Sequence, residues 1–339
     1  MTAIHESIDR VIATEFRSAV LNAGVLAPLY EAARSVAGGP LCAEAARRLA
    51  SVLRPGRAVV LATGAGGPPW LFKGETDGPL GTAGLARAIS LGFGAWPVIV
   101  TEERSEAPVT ATLVAAGVSV LPEATALTRP TSATLVPFTT DPEAAPHEAT
   151  AFLDRYDPVA VVVTEKTSPN RAGVIHSVTG KAWTPAVEFA RVEHILREAE
   201  RRGIPTLGVG DMGNEMGFGA IEDTVRKIVP RADVCQCPCG QGMASAVATD
   251  VVIPASVSNW GCYGVEAALA ILSQRPELLH DVDTERRMLA ACVAAGAVDG
   301  LTSRQILAVD GTSAEVQVAI VTLLGELVGK ALDARPVDY

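Results

Sequence analysis

The sequence has no cluster of lysine and arginine, no long uncharged apolar run and no internal repeat. Each absence removes a class of function. Phosphate backbones are bound by grouped basic side chains, whereas 28 Lys and Arg stand here against 38 Asp and Glu, giving a net charge of −10 and a pI near 5.1. No segment supplies a nucleic-acid footprint, so small molecules are the expected ligands. Nor does any uncharged stretch reach the roughly 18 apolar residues of a membrane span. The amino terminus places His5, Glu6, Asp9 and Arg10 before any sustained apolar run, unlike a signal peptide or an acid-poor transit peptide. A cytoplasmic protein is therefore expected.

What is present is enough material for a substantial core. With 339 residues, 48% of them hydrophobic, the chain can form one large domain or two ordinary ones. Residues 4–23 and 40–54 read as helices, after which short β-branched runs appear at 58–63, 96–101, 118–121, 133–138, 159–164, 205–209 and 250–254. Helical stretches at 82–91, 107–116, 186–202 and 260–274 lie between most of them. Strands alternating with helices predict an α/β fold with a mainly parallel sheet covered on both faces. Residues 283–333 read as helices that cap the sheet or make an oligomer contact. We read 1–339 as a single domain, with the Pro- and Thr-rich stretch 122–147 as the place where two lobes would divide.

The densest chemistry lies at 208–219, Gly-Val-Gly-Asp-Met-Gly-Asn-Glu-Met-Gly-Phe-Gly, between the strand at 205–209 and a helical stretch at 220–229. In open parallel sheets such turns line the crevice where ligands bind, and glycines let backbone approach a ligand closely. Gly208, Gly210 and Gly213 also match the dinucleotide fingerprint literally. That reading is set aside, because Asp211 and Glu215 would meet the pyrophosphate with like charge, and Asp233 precedes its apolar neighbours instead of ending the next strand.

Three of six cysteines form Cys235-Gln236-Cys237-Pro238-Cys239. Zinc sites usually pair ligands two to four residues apart. On an extended segment alternate residues share a face, so Cys235 and Cys239 would face a core and Cys237 the other side. These cysteines read as reduced, apolar-like packing residues.

Further polar clusters fall at strand ends: 73–79 with Glu75 and Asp77, 164–171 with Glu165, Lys166 and Arg171, and 256–264 with Ser258, Asn259, Trp260 and Tyr263. Turn capping, a solvated ion pair and a helix N-cap are the structural alternatives for the three. Four blocks taken together, Glu-Thr-Asp-Gly-Pro at 75–79, Glu-Lys and Asn-Arg within 165–171, Gly-Asp-x-Gly-Asn-Glu-x-Gly at 210–217 and Val-Ser-Asn-Trp-Gly at 257–261, resemble the D-glutamate cyclase-like family, in its order and over most of the chain. The chain departs from the family pattern at Met212, Phe218 and Cys262. The resemblance implies an enzyme, a hydro-lyase that closes D-glutamate to 5-oxo-D-proline with loss of water, and a divalent cation as cofactor.

That reaction brings a neutral amine to a carboxylate that is a poor electrophile. Oxygen-rich blocks without histidine favour Mg²⁺ or Mn²⁺ over zinc, with Glu75, Asp77, Asp211, Asn214 and Glu215 as the ligand pool. Mg²⁺ usually keeps several waters, so not all five can touch the ion. Glu165 and Lys166, with Asp211 and Glu215, are the catalytic candidates for proton transfer. Arg171 could clamp the α-carboxylate, and Ser258, Asn259, Trp260 and Tyr263 could wall the substrate. Two other readings stay open: a lactam or cyclic-amide hydrolase using the same groups, and a non-catalytic protein that binds a small carboxylate or a cation.

Overall fold

The structure, a computed structural model, describes residues 2–16 and 24–333. Three helices, α1 (Thr2–Ile12), α2 (Leu26–Ala37) and α3 (Leu41–Val52), precede the first strand, β1 (Ala58–Thr63). Then come α4 (Pro79–Phe93), β2 (Trp96–Thr101), α5 (Glu106–Ala115), β3 (Ser119–Val120), the single turn α6 (Glu123–Ala126), β4 (Ser132–Pro137), α7 (Ala145–Tyr156) and β5 (Ala160–Thr164). A long excursion leads to α8 (Glu193–Arg202), β6 (Thr206–Gly210), α9 (Glu222–Ile228), β7 (Val251–Pro254), α10 (Ser258–Ser273) and α11 (Val282–Ala294). A small hairpin, β8 (Ala308–Val309) and β9 (Thr312–Ser313), precedes α12 (Ala314–Leu332).

Seven strands form one parallel sheet in the order β3-β4-β2-β1-β5-β6-β7. Burial on both faces explains why strands such as β1, Ala-Val-Val-Leu-Ala-Thr, are continuously apolar. Successive side chains point to opposite faces: Val59 and Leu61 enter a core shared with α1, α3, α4, α5, α10, α11 and α12, while Val60 and Ala62 meet α7 and α8. Helix α10 is buried along nearly its whole length against α4, where glycines permit close approach. A Cβ on Gly81 would lie 2.8 Å from Asn259 Cα. Among the described residues no helix is long and apolar enough to cross a membrane.

The predicted α/β fold with helical ends is what the chain adopts, with local differences. The helix expected over 4–23 ends at Ile12, and 17–23 lie outside the described residues. The helix expected over 186–202 begins only at Glu193, because Val187 and Phe189 are drawn into a small separate core with Ile175. Stretch 122–147 holds α6, β4 and the start of α7. The chain winds outward from β1 in both directions, to β2 on one side and β5 on the other, which places a topological switch point, and hence a crevice, outside the carboxyl ends of β1 and β5.

Candidate active site

A cavity of about 530 Å³ opens at that switch point, within the range of small-molecule sites. The turn after β1 brings Ala65 and Gly67 to it, and the turns after β5 and β6 bring Glu165, Thr167, Asp211, Met212, Asn214 and Glu215. Glu75 and Asp310 add two acids from outside the sheet. Trp70, Leu71, Trp183, Val187 and Leu301 make much of the wall apolar.

Glu165 and Asp211 of that lining form a buried group with Asp77, which lies behind the cavity wall, each offering a carboxylate oxygen within 4.8 Å of the others. Parallel pairing of β5 with β6 explains two of them: the Glu165 amide donates to Val209 O at 3.0 Å, so the strand ends carrying Glu165 and Asp211 are held side by side. Glu165 is held at φ 45°, a left-handed conformation uncommon for a residue with a Cβ. Its Oε2 accepts from the Ser258 hydroxyl. Burial pushes its pKa well above the ordinary range, and the nearby Asp211, Glu215, Asp77 and Glu75 push it further. Glu215 folds back on its own turn, accepting from the Gly213 amide at 2.9 Å and the Met212 amide at 3.2 Å.

Asp77 is fixed by two helix ends. Its Oδ1 accepts from the amides of Gly78 (2.9 Å) and Asn259 (2.8 Å), and its Oδ2 from Ser258 (2.8 Å) at the start of α10. Asn259 returns the arrangement: its Oδ1 accepts from Gly78 and Gly81 at the start of α4, both at 2.8 Å. Each side chain thus satisfies orphan amides of the other's helix, and a carboxylate at the α10 N-terminus complements the helix dipole. An all-oxygen donor set fits a hard divalent cation. So does Asn214 Oδ1, a buried acceptor that makes no hydrogen bond.

The other sequence candidates fall elsewhere. Lys166 is buried in an ion pair with Glu102 and donates to Gly64 O at 3.2 Å, off the cavity wall. Burial lowers its pKa, opposed by Glu102. Arg171 is half-exposed and paired with Glu222 at 2.7 Å. Trp260 lies in the core with Nε1 donating to Gln317 Oε1 at 2.6 Å, and the Tyr263 hydroxyl donates to Glu285 Oε2 at 2.9 Å.

Sequence reasoning did not single out Asp310, Lys181, Trp70 or Trp183, all of which line the cavity. A signal for Asp310 existed: Asp310 and Gly311 both have positive φ (51° and 76°) in the two-residue turn between β8 and β9, and Asp-Gly is a strong hairpin dipeptide. The cysteine cluster needs correction. Residues 235–239 form turns, not an extended strand, so alternation does not apply and Cys237 does not face away. Cys235, Cys237 and Cys239 place their sulfurs 3.2–3.4 Å apart. Burial acts to raise the Cys235 pKa, but hydrogen bonds from the Cys237 backbone and the neighbouring thiols bring it down to about 6.

Comparison with known proteins gives two matches. The family described as "D-glutamate cyclase-like, C-terminal" matches residues 33–325. The human protein "D-glutamate cyclase, mitochondrial" is 41% identical over 70 residues, a stretch that covers 21% of this chain and 10% of the human protein.

Proposed function

The chain belongs to the D-glutamate cyclase-like family, and on that premise we propose that it closes D-glutamate, or a closely related amino acid, to 5-oxo-D-proline. The observation that carries this reading is the convergence of Asp77, Glu165 and Asp211, the last two on the wall of a substrate-sized cavity. In the reaction the α-nitrogen bonds to the γ-carboxyl carbon, one carbon–oxygen bond breaks, and that oxygen leaves as water with the protons shed by the amine.

Asp77 and Asp211, with Asn214 Oδ1, would hold the divalent cation, Mg²⁺ or Mn²⁺. When bound, the ion supplies a Lewis acid that polarises the γ-carboxylate and offsets developing negative charge. Glu165, oriented by Ser258, takes a proton from the ammonium and delivers one to the departing oxygen, a role worth roughly 10²- to 10⁴-fold. Glu215 keeps the turn carrying Asp211 and Asn214 in shape. Lys181, exposed, is the basic side chain that lines the cavity and offers a positive charge for the α-carboxylate, and the apolar wall of Trp70, Trp183 and Leu301 limits water.

Purified protein incubated with each glutamate enantiomer and each 5-oxoproline, with and without Mn²⁺, is expected to interconvert D-glutamate and 5-oxo-D-proline only when the cation is present. Cation-independent turnover would remove the role given to Asp77 and Asp211. No turnover of any of the four compounds would refute the reading as a whole.

A further inference from the structure

The second cluster lies apart from the acids. His176 Nε2 sits 3.1 Å from Cys237 Sγ and 3.7 Å from Cys239 Sγ, and Cys235 completes a group of four ligand atoms all within 4.8 Å of one another. They come from two segments, the flap after β5 and the turns after α9. We propose that His176, Cys235, Cys237 and Cys239 form a closed tetrahedral site for one soft divalent cation of the zinc class, which clasps the flap to the cysteine turns.

Three features carry this. Zinc held at about 2.3 Å from each sulfur requires sulfurs about 3.8 Å apart, so the observed 3.2–3.4 Å needs only a few tenths of an ångström of expansion. The spacing admits one ion and leaves no room for a multi-iron cluster. His176 is also set up as a ligand: its Nδ1 lies 3.1 Å from Val174 O, and donating there leaves the Nε2 lone pair turned to the thiols. Finally, Asn170 ties the same two segments together, with Nδ2 on Gly242 O at 2.6 Å and Oδ1 accepting from Ala172 and Val174. Four protein ligands leave no open position, the pattern of a structural rather than a catalytic zinc. Binding would displace the remaining thiol protons to solvent, with no change of oxidation state.

The clasp has a task in the fold. The flap supplies Lys181 and Trp183 to the cavity wall, and His176 O accepts from Asn214 Nδ2 at 3.2 Å. An ion here therefore braces one wall of the cavity without touching substrate.

The test is independent of turnover. Full-length protein purified under reducing conditions from zinc-supplemented cells is expected to carry one zinc per chain. After exchange to Co²⁺ it should show the intense visible bands of tetrahedral thiolate coordination. Removing zinc with a chelator should lower the melting temperature, and Zn²⁺ but not Mg²⁺ should restore it. The double variant Cys237→Ser, Cys239→Ser should lose the metal, whereas Asp211→Asn should keep it. A metal-free wild type, an octahedral cobalt spectrum, a disulfide among the three cysteines in place of metal, or full zinc retention in the cysteine variant would each overturn the proposal. Should the cysteine variant fail to fold, the stoichiometry and cobalt spectrum of the wild type still decide.

Discussion

Glu165 combines backbone strain with a crowded acidic setting. A left-handed conformation costs a non-glycine residue of the order of 1–3 kcal/mol and tends to persist where a site demands it. Glu165→Gln keeps the backbone and the shape while removing the transferable proton. We expect kcat to fall roughly 10²- to 10⁴-fold with little change in melting temperature, and full activity would exclude Glu165 from the chemistry. Arg171 offers a contrast. It is half-exposed, paired with the largely buried Glu222, and lies off the cavity lining, so Arg171→Lys should leave kcat/KM nearly unchanged while Lys181→Ala raises KM. Steady-state kinetics of the two variants side by side separate them, and the reverse ranking would return the α-carboxylate to Arg171. From the sequence, an arginine in a polar block after a strand looks like a substrate clamp; only the fold shows that Glu222 takes it.

A buried histidine behaves differently again. His280 Nδ1 lies 2.7 Å from Glu266 Oε2 and its Nε2 3.2 Å from Glu285 Oε2, with Tyr263 edge-on at 4.6 Å. Burial alone would lower its pKa, but the two carboxylates overcome this and raise it from 6.5 to about 10. A raised histidine gives stability that is fully present below pH 6.5 and is lost as pH rises through about 10. Thermal melts across that window should show falling stability, and His280→Gln should flatten the dependence. An unchanged slope in the variant would assign the effect elsewhere.

At the scale of elements, the reciprocal caps join α4 to α10. Asn259→Ala would strand the Gly81 amide in the interior, at about 1–3 kcal/mol for the unsatisfied group, while the Gly78 amide keeps Asp77 Oδ1 at 2.9 Å. Denaturant unfolding should shift its midpoint downward by the equivalent of about 1–3 kcal/mol, with an unchanged slope. A near-neutral change would mean the Gly81 amide finds another acceptor. This pairing shows what was legible. The strands were readable because a sheet covered on both faces demands continuous apolar runs, and β1 and β2 fall where those runs lie. Asn259 was readable as a residue at a helix start, yet its true acceptor role reaches another helix, 181 and 178 positions away in sequence. The apolar residues of the flap gather into a small core of their own, Ile175, Val187 and Phe189, so its place in the cavity wall follows from tertiary contacts alone. The cysteine turns misled for a related reason: alternation is informative only in extended chain.

Across the whole molecule the cavity is closed by chain drawn from far apart. Gly300 shows how tightly: a Cβ there would lie 1.9 Å from Glu75 Oε2 and 2.6 Å from Asp310 Oδ1. Gly300→Ala should displace Glu75 and reduce kcat/KM while costing little stability, since a side-chain end can swing aside. Unaltered kinetics would show that the acids at this end of the cavity do not contribute.

The loop carrying Glu75 and Asp77 is pinned by residues made much later: the Thr76 amide donates to Val298 O at 2.9 Å and its hydroxyl to Ala308 O at 2.8 Å. During synthesis, then, the parallel sheet can begin to assemble from its amino-terminal strands while this loop still lacks its anchors. Long-range closures of this kind are slow because loop entropy is lost before the contact forms. A ribosome-bound chain stopped short of residue 298 would therefore carry Asp77 on an unanchored loop and be chemically silent.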